Sequence, residues 1–174
     1  VLKRVLVNLG SAIMNQFAER EGLVRVDMFQ AMILLVQSTM SDDSENSSVT
    51  PSLDQPLLVR QTSLYQPLSV LLPDIVYYAS SQFWSSNTAA KSAVMSLYAA
   101  ISKGGRESVD LLGGNFETIM PQIFDSLAET KEVEFTQAGL MCLSALFKEA
   151  NYSYFEVYIM DLLTAVAGLV NSPN

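Results

Sequence analysis

The side chains that carry most enzymatic and metal chemistry are sparse in this chain. Histidine is absent from all 174 residues, which removes the commonest general base, the commonest metal ligand and any triad of the Ser-His-Asp kind. The single cysteine, Cys142, lies between Met141 and Leu143 in an apolar run. It reads as a buried structural thiol rather than a nucleophile. Zinc sites need clustered Cys or His, which one thiol does not supply. The carboxylate pairs Asp42-Asp43 and Glu132 with Glu134 sit in polar breaks, whereas an acid/base dyad needs burial to separate its two pKa values. Gly104-Gly105 and Gly113-Gly114 have neither the GxxxxGK[ST] nor the GxGxxG spacing and read as helix ends. No catalytic residue, cofactor site, metal site or small-molecule substrate is expected, and the chain does not read as an enzyme.

What remains is chemistry for binding proteins. Aromatic residues gather at Tyr77-Tyr78, Phe83-Trp84 and from Tyr152 to Tyr158. Most such rings fill gaps between helices, but Tyr77, Tyr78 and Trp84 are the candidates for anchors of a protein partner. The acidic residues Asp42, Asp43 and Glu45 form a second candidate patch, suited to a basic partner. The chain has 10 basic and 18 acidic residues, a net charge of −8. Nucleic acid and anionic membrane are disfavoured, because both are gripped by clustered Lys and Arg. No run reaches the ~18 apolar residues of a membrane span. One unpaired cysteine suits a reducing compartment, the cytoplasm or the nucleus.

The elements that would position these residues are helical throughout. Hydrophobic residues make up 49% and charged ones only 16%, a balance expected where each helix buries two faces. Helical spacing places a first helix over Leu2 to Ala18 and a second over about Leu23 to Met40, with Val26, Phe29, Ile33 and Val36 on one stripe. Arg25 and Asp27 are a candidate tie between layers. From Ser41 to about Pro56 the chain is acidic and Ser-rich, which predicts a mobile loop. A helical region follows to about Trp84, divided or kinked by Pro67 and Pro73. Ser86 or Asn87 caps the next helix, whose inner face is Ala90, Val94, Leu97 and Ile101. Lys103 to Arg106 ends it, a short piece covers Glu107 to Leu112, and further helices span Phe116 to Ala128, Val133 to Glu149 and about Tyr154 to Val170. In the helix from Val133, the inward residues are expected to be Leu140, Leu143, Leu146 and Phe147.

A phrase recurs in these helices. Leu71-Leu72-Pro73-Asp74-Ile75, Ile119-Met120-Pro121-Gln122-Ile123 and Ile159-Met160-Asp161-Leu162-Leu163 are separated by 48 and then 40 residues. A period in the forties built from helix pairs predicts an all-α HEAT or armadillo solenoid of about four repeats over residues 1–174. The chain reads as a piece of a longer solenoid, and an apolar face on its last helix would meet a following repeat.

One stretch is more specific. Residues Gln16 to Ala31, QFAEREGLVRVDMFQA, resemble the phrase RFKEREENVKADVFHAY of the cullin-associated, neddylation-dissociated proteins. Leu72-Pro73-Asp74-Ile75-Val76 resembles that family's VPNIVKAL. Gly139 to Leu143 is similar to its ALSCL, and Leu35 to Thr39 to its LLKQT, after which the family also has a polar linker. The resemblance covers most of the chain, though only the first phrase is specific. It implies a HEAT-repeat superhelix that wraps a cullin and its RING subunit and exchanges substrate receptors on cullin-RING ubiquitin ligases. The family offers no catalytic motif to carry over. Importin-like and phosphatase-scaffold-like solenoids are the alternatives of the same class; a helical enzyme or ligand-binding bundle is the alternative of another.

Overall fold

The computed structural model describes residues 8, 12, 22–45, 70–104 and 106–171, and among these it contains helices and no strand. The expected helix over Leu2 to Ala18 lies outside the described residues except for Asn8 and Ala12, both helical and exposed. Seven α-helices follow: α1 (Gly22–Glu45), α2 (Leu72–Phe83), α3 (Thr88–Ser102), α4 (Arg106–Gly113), α5 (Phe116–Ala128), α6 (Val133–Glu149) and α7 (Ile159–Val170). Two 3₁₀ turns, Tyr152–Tyr154 and Glu156–Tyr158, link α6 to α7.

Helix α1 overturns one expectation. Ser41 to Glu45 continue the helix instead of opening the loop; residues 46–56 lie outside the described residues. No glycine or proline interrupts the chain between Leu23 and Thr50, and Ser, Asp and Glu each cost only about 0.7 kcal/mol or less in a helix interior. The stripe that anchors α1 upstream, Phe29, Met32 and Val36, is fully buried. The tail carries acidic residues and no basic one in its last turn, the less favourable sign at the negative end of the helix dipole. The side chain of Arg25 lies outside the described residues, so the expected tie to Asp27 does too.

Local chemistry sets the other boundaries. Pro73 falls in the first turn of α2, where its missing N–H has no intrahelical partner to lose, so it starts a helix without kinking it. Asn87 caps α3, its side-chain oxygen accepting from the Ala90 N–H at 2.9 Å. Ala90, Val94, Leu97 and Ile101 are all fully buried, as the spacing predicts. The ends of α3, α5 and α6 fall where expected. The last helix is shorter than the Tyr154 to Val170 expected: Asn151 accepts from the Ser153 N–H at 3.1 Å, which favours a tight 3₁₀ turn over the start of an α-helix.

The helices pack in a consistent order. α1 lies against α3 and α3 against α6; α2 touches α5, and α5 packs against α7. Across these two rows α2 pairs with α3 and α5 with α6. Among the described residues, α1 and α7, the first and last of these seven helices, share no extensive interface. The recurring phrase falls in α2, α5 and α7, so it marks one row. At the α5–α6 crossing the backbones come close: a Cβ on Gly139 would collide with Ser126 Oγ and lie 2.7 Å from Ser126 Cβ. One core cluster runs from Met28 to Leu162 through all these helices except α4's polar start.

Candidate interaction surface

The proposed aromatic anchors sit on α2 and, for Trp84, at its C-cap in helical conformation, for a simple reason. The helix turns its apolar stripe, Leu72, Ile75, Val76, Ala79 and Phe83, into the core, which leaves the opposite side to face solvent. Tyr77 and Trp84 are 67% and 56% exposed. Seven residues apart, they lie within about 20° of one another around the helix, roughly 10.5 Å apart along its axis. Pro73 is exposed on the same side. Tyr78 is also exposed, one position round, and its ring meets Tyr77 edge-on with centroids 5.6 Å apart.

Trp84 is held although it is exposed. Its ring stands edge-on to the buried Phe83, with centroids 4.9 Å apart. Lys91 from α3 places its ammonium 5.0 Å from the Phe83 centroid, 5.4 Å from that of Trp84 and 5.7 Å from that of Phe135. The same ammonium binds Asp125 of α5 at 2.8 Å. Helices α2, α3, α5 and α6 thereby meet at one point, and Trp84 gains a fixed wall. By contrast, Asp42, Asp43 and Glu45 are on α1, whose packing partner is α3. The structure brings Tyr77, Tyr78 and Trp84 together and leaves the acidic trio on another element; the side chains of that trio lie outside the described residues.

The apolar face expected on the last helix forms a second surface. On α7 only Leu162 is fully sequestered, while Met160 is 70% and Leu163 61% exposed. Val166 and Val170 continue this exposed apolar side. The matching positions of the earlier phrases are Leu72 and Ile75 in α2, and Met120 and Ile123 in α5, and all four are buried. Leu140 and Phe147, expected to point inward, are instead 40% and 46% exposed. The stripe of α6 that meets its neighbours is Phe135, Ala138, Gly139, Cys142, Leu143 and Leu146. Leu140 and Phe147 fall past the edge of that stripe, and Phe147 stacks on Phe155 with centroids 4.3 Å apart.

Polar chemistry inside the molecule is structural. Tyr98 donates its hydroxyl proton to Gln122 Oε1 at 3.0 Å, and Gln122 Nε2 donates to the Ser80 carbonyl at 3.0 Å. This chain links α3, α5 and α2 through groups that are almost wholly buried, and each is satisfied as low dielectric demands. Burial raises the Tyr98 phenol far above its ordinary range, a hydrogen bond with Ser80 opposing. Burial pushes the Cys142 thiol up to about 12, so it stays protonated and un-nucleophilic at neutral pH.

An open groove of about 480 Å³ runs between the end of α5 and α7, lined by Phe124, Leu127, Asp161, Thr164 and Leu169 among others. Asp161 is, among the described residues, the one carboxylate in its lining, beside Thr130 and Thr164, so the groove offers no pair of titrating groups for acid/base work. Among the described residues, no group of three or more potential ligands could hold a metal ion, and no helix is long and apolar enough to cross a membrane. No protein-family model, curated protein or solved structure matches the chain.

Proposed function

We propose that the chain is a segment of a HEAT-repeat α-solenoid that serves as a non-catalytic scaffold for cullin-RING ubiquitin ligase cores, regulating their assembly and substrate-receptor exchange. The observation that carries the reading is the pair of helix rows: each helix packs on its predecessor in the row, and among the described residues α1 and α7 share no extensive interface. A closed bundle would bring the ends together, whereas a solenoid adds layers in one direction. The uncovered phrase on α7 supports the same reading, since Met160 and Leu163 occupy the positions that α2 and α5 bury. The resemblance of Gln16 to Ala31 to the cullin-associated, neddylation-dissociated family favours this solenoid over importin-like or phosphatase-scaffold-like ones, and the single cysteine supports work in the cytoplasm or nucleus.

The mechanism requires no covalent step. A curved stack of helices wraps a partner, and occupancy of the cullin surface competes with other subunits. Exposed rings held in place, Tyr77 and Trp84, suit the anchor role in such an interface. The test is a pull-down by the immobilised chain from purified cullin-RING cores, with and without the ubiquitin-like modifier on the cullin. Preferential recovery of the unmodified core supports the proposal. Equal recovery of both, or of neither, contradicts it.

A further inference from the structure

We infer that Tyr77 and Trp84 form a receptor for a basic segment of a partner protein, with arginine or lysine side chains seated over the two rings. This deepens the scaffold reading and rests on it. Three observations converge on that chemistry.

The first is the presentation of the rings. An exposed aromatic free to rotate gives up entropy on binding, but Tyr77 is braced by Tyr78 and Trp84 by Phe83 and Lys91. Such preorganisation lowers the cost of association. The second is electrostatic. Indole and phenol faces attract cations, and the environment of Trp84 already holds one in Lys91. The charge of Lys91 is compensated by Asp125 at 2.8 Å, so it does not repel an arriving cation at full strength. Asp74, exposed on α2 one turn before Tyr77–Tyr78, adds negative potential, and the chain as a whole carries −8. A phosphate-bearing or acidic partner would meet the wrong field.

The third is spacing. The two rings are separated by roughly 10.5 Å along α2. An extended polyproline-type strand repeats its side-chain direction every three residues, about 9.3 Å. Basic residues at every third position of an extended segment therefore match the two rings.

Trp84 is the chain's only tryptophan, so its intrinsic fluorescence reads this site alone. The probe is a synthetic peptide of four Arg-Pro-Pro triplets, titrated into the folded chain; a Glu-Pro-Pro peptide is the control. A saturable change in Trp84 emission with the arginine peptide and none with the glutamate peptide is expected. Tyr77→Ala should weaken binding about two- to fivefold, the size of one exposed cation–π contact. Trp84→Leu, followed by anisotropy of a labelled peptide, should weaken it by at least as much. Both side chains are exposed, and circular dichroism confirms that each variant is folded. Absence of binding, unmoved Trp84 emission at saturation of the labelled peptide, or equal affinity in the variants would each overturn the inference. None of these results bears on cullin recovery in the pull-down, so the two proposals fail separately.

Discussion

Replacing Ile123 and Leu163 separately by alanine asks whether α7 repeats the role of α5 with one face uncovered. The two residues occupy the same place in the recurring phrase, but Ile123 is fully buried and Leu163 is 61% exposed. Removing a buried isoleucine side chain costs about 2–5 kcal/mol, because transfer free energy and a residual cavity add. At Leu163 only the sheltered part of the side chain is lost. Full burial of a leucine stabilises by about 1.5–3 kcal/mol, so the sheltered fraction amounts to roughly 1 kcal/mol or less. Alanine also favours the helix slightly more than either residue it replaces. Urea unfolding followed by circular dichroism reads the difference: the midpoint should fall clearly for Ile123→Ala and little for Leu163→Ala, with the slope unchanged. In a thermal melt of a chain this long, a loss of 3 kcal/mol lowers the midpoint by about 6–12 °C. Equal losses at the two positions would refute the reasoning, since they would mean that Leu163 is covered in solution. A neutral Ile123→Ala would remove the α5 core itself.

Other substitutions probe the interior. Gly139→Ala places a methyl against Ser126 and should destabilise by about 1–3 kcal/mol by overpacking; the double change with Ser126→Gly should recover much of the loss in the same urea assay. Tyr98→Phe strands Gln122 Oε1 and should cost about 1–3 kcal/mol, less when Gln122→Met is present as well, which a double-mutant cycle would show. The Cys142 thiol, with its pKa raised from the ordinary 9.0 to about 12, should resist a thiol reagent at pH 8 until urea unfolds the chain. The sign of its linkage follows: below pH 9 the thiol is protonated folded and unfolded alike. Above pH 9 the unfolded thiol ionises first, so stability falls as pH rises from about 9 towards 12. Cys142→Ala should flatten that part of the stability–pH curve.

Helix existence was legible wherever one apolar stripe and a clear boundary coincided. Asn87 at the start of α3, and the polar breaks around Asn115 and Glu132, gave the observed limits of α3, α5 and α6. Orientation was less legible on α6, which is apolar on more than one side. Leu140 and Phe147 match helical spacing as well as Leu143 and Leu146 do, and tertiary packing alone decides between them. The tail of α1 was misread because Ser and Asp lower helix propensity without forbidding a helix, and nothing there breaks one. Downstream, Tyr154 to Tyr158 was expected to open the last helix, yet the Asn151 side chain diverts the backbone, and Phe155 is drawn into a cluster with Phe116 and Phe147. For the candidate surface, clustering of aromatic residues marked Tyr77 and Trp84, while their shared side of α2 emerges only from the structure. The brace provided by Lys91 and Asp125 joins residues 34 apart in sequence and left no local trace.

The most direct test of the scaffold proposal is the equilibrium affinity of the chain for a purified cullin-RING core, measured by sedimentation with and without the ubiquitin-like modifier on the cullin. The proposal predicts a saturable complex with the unmodified core and markedly weaker binding to the modified one. Equal affinity for the two forms, or no complex with either, would contradict it.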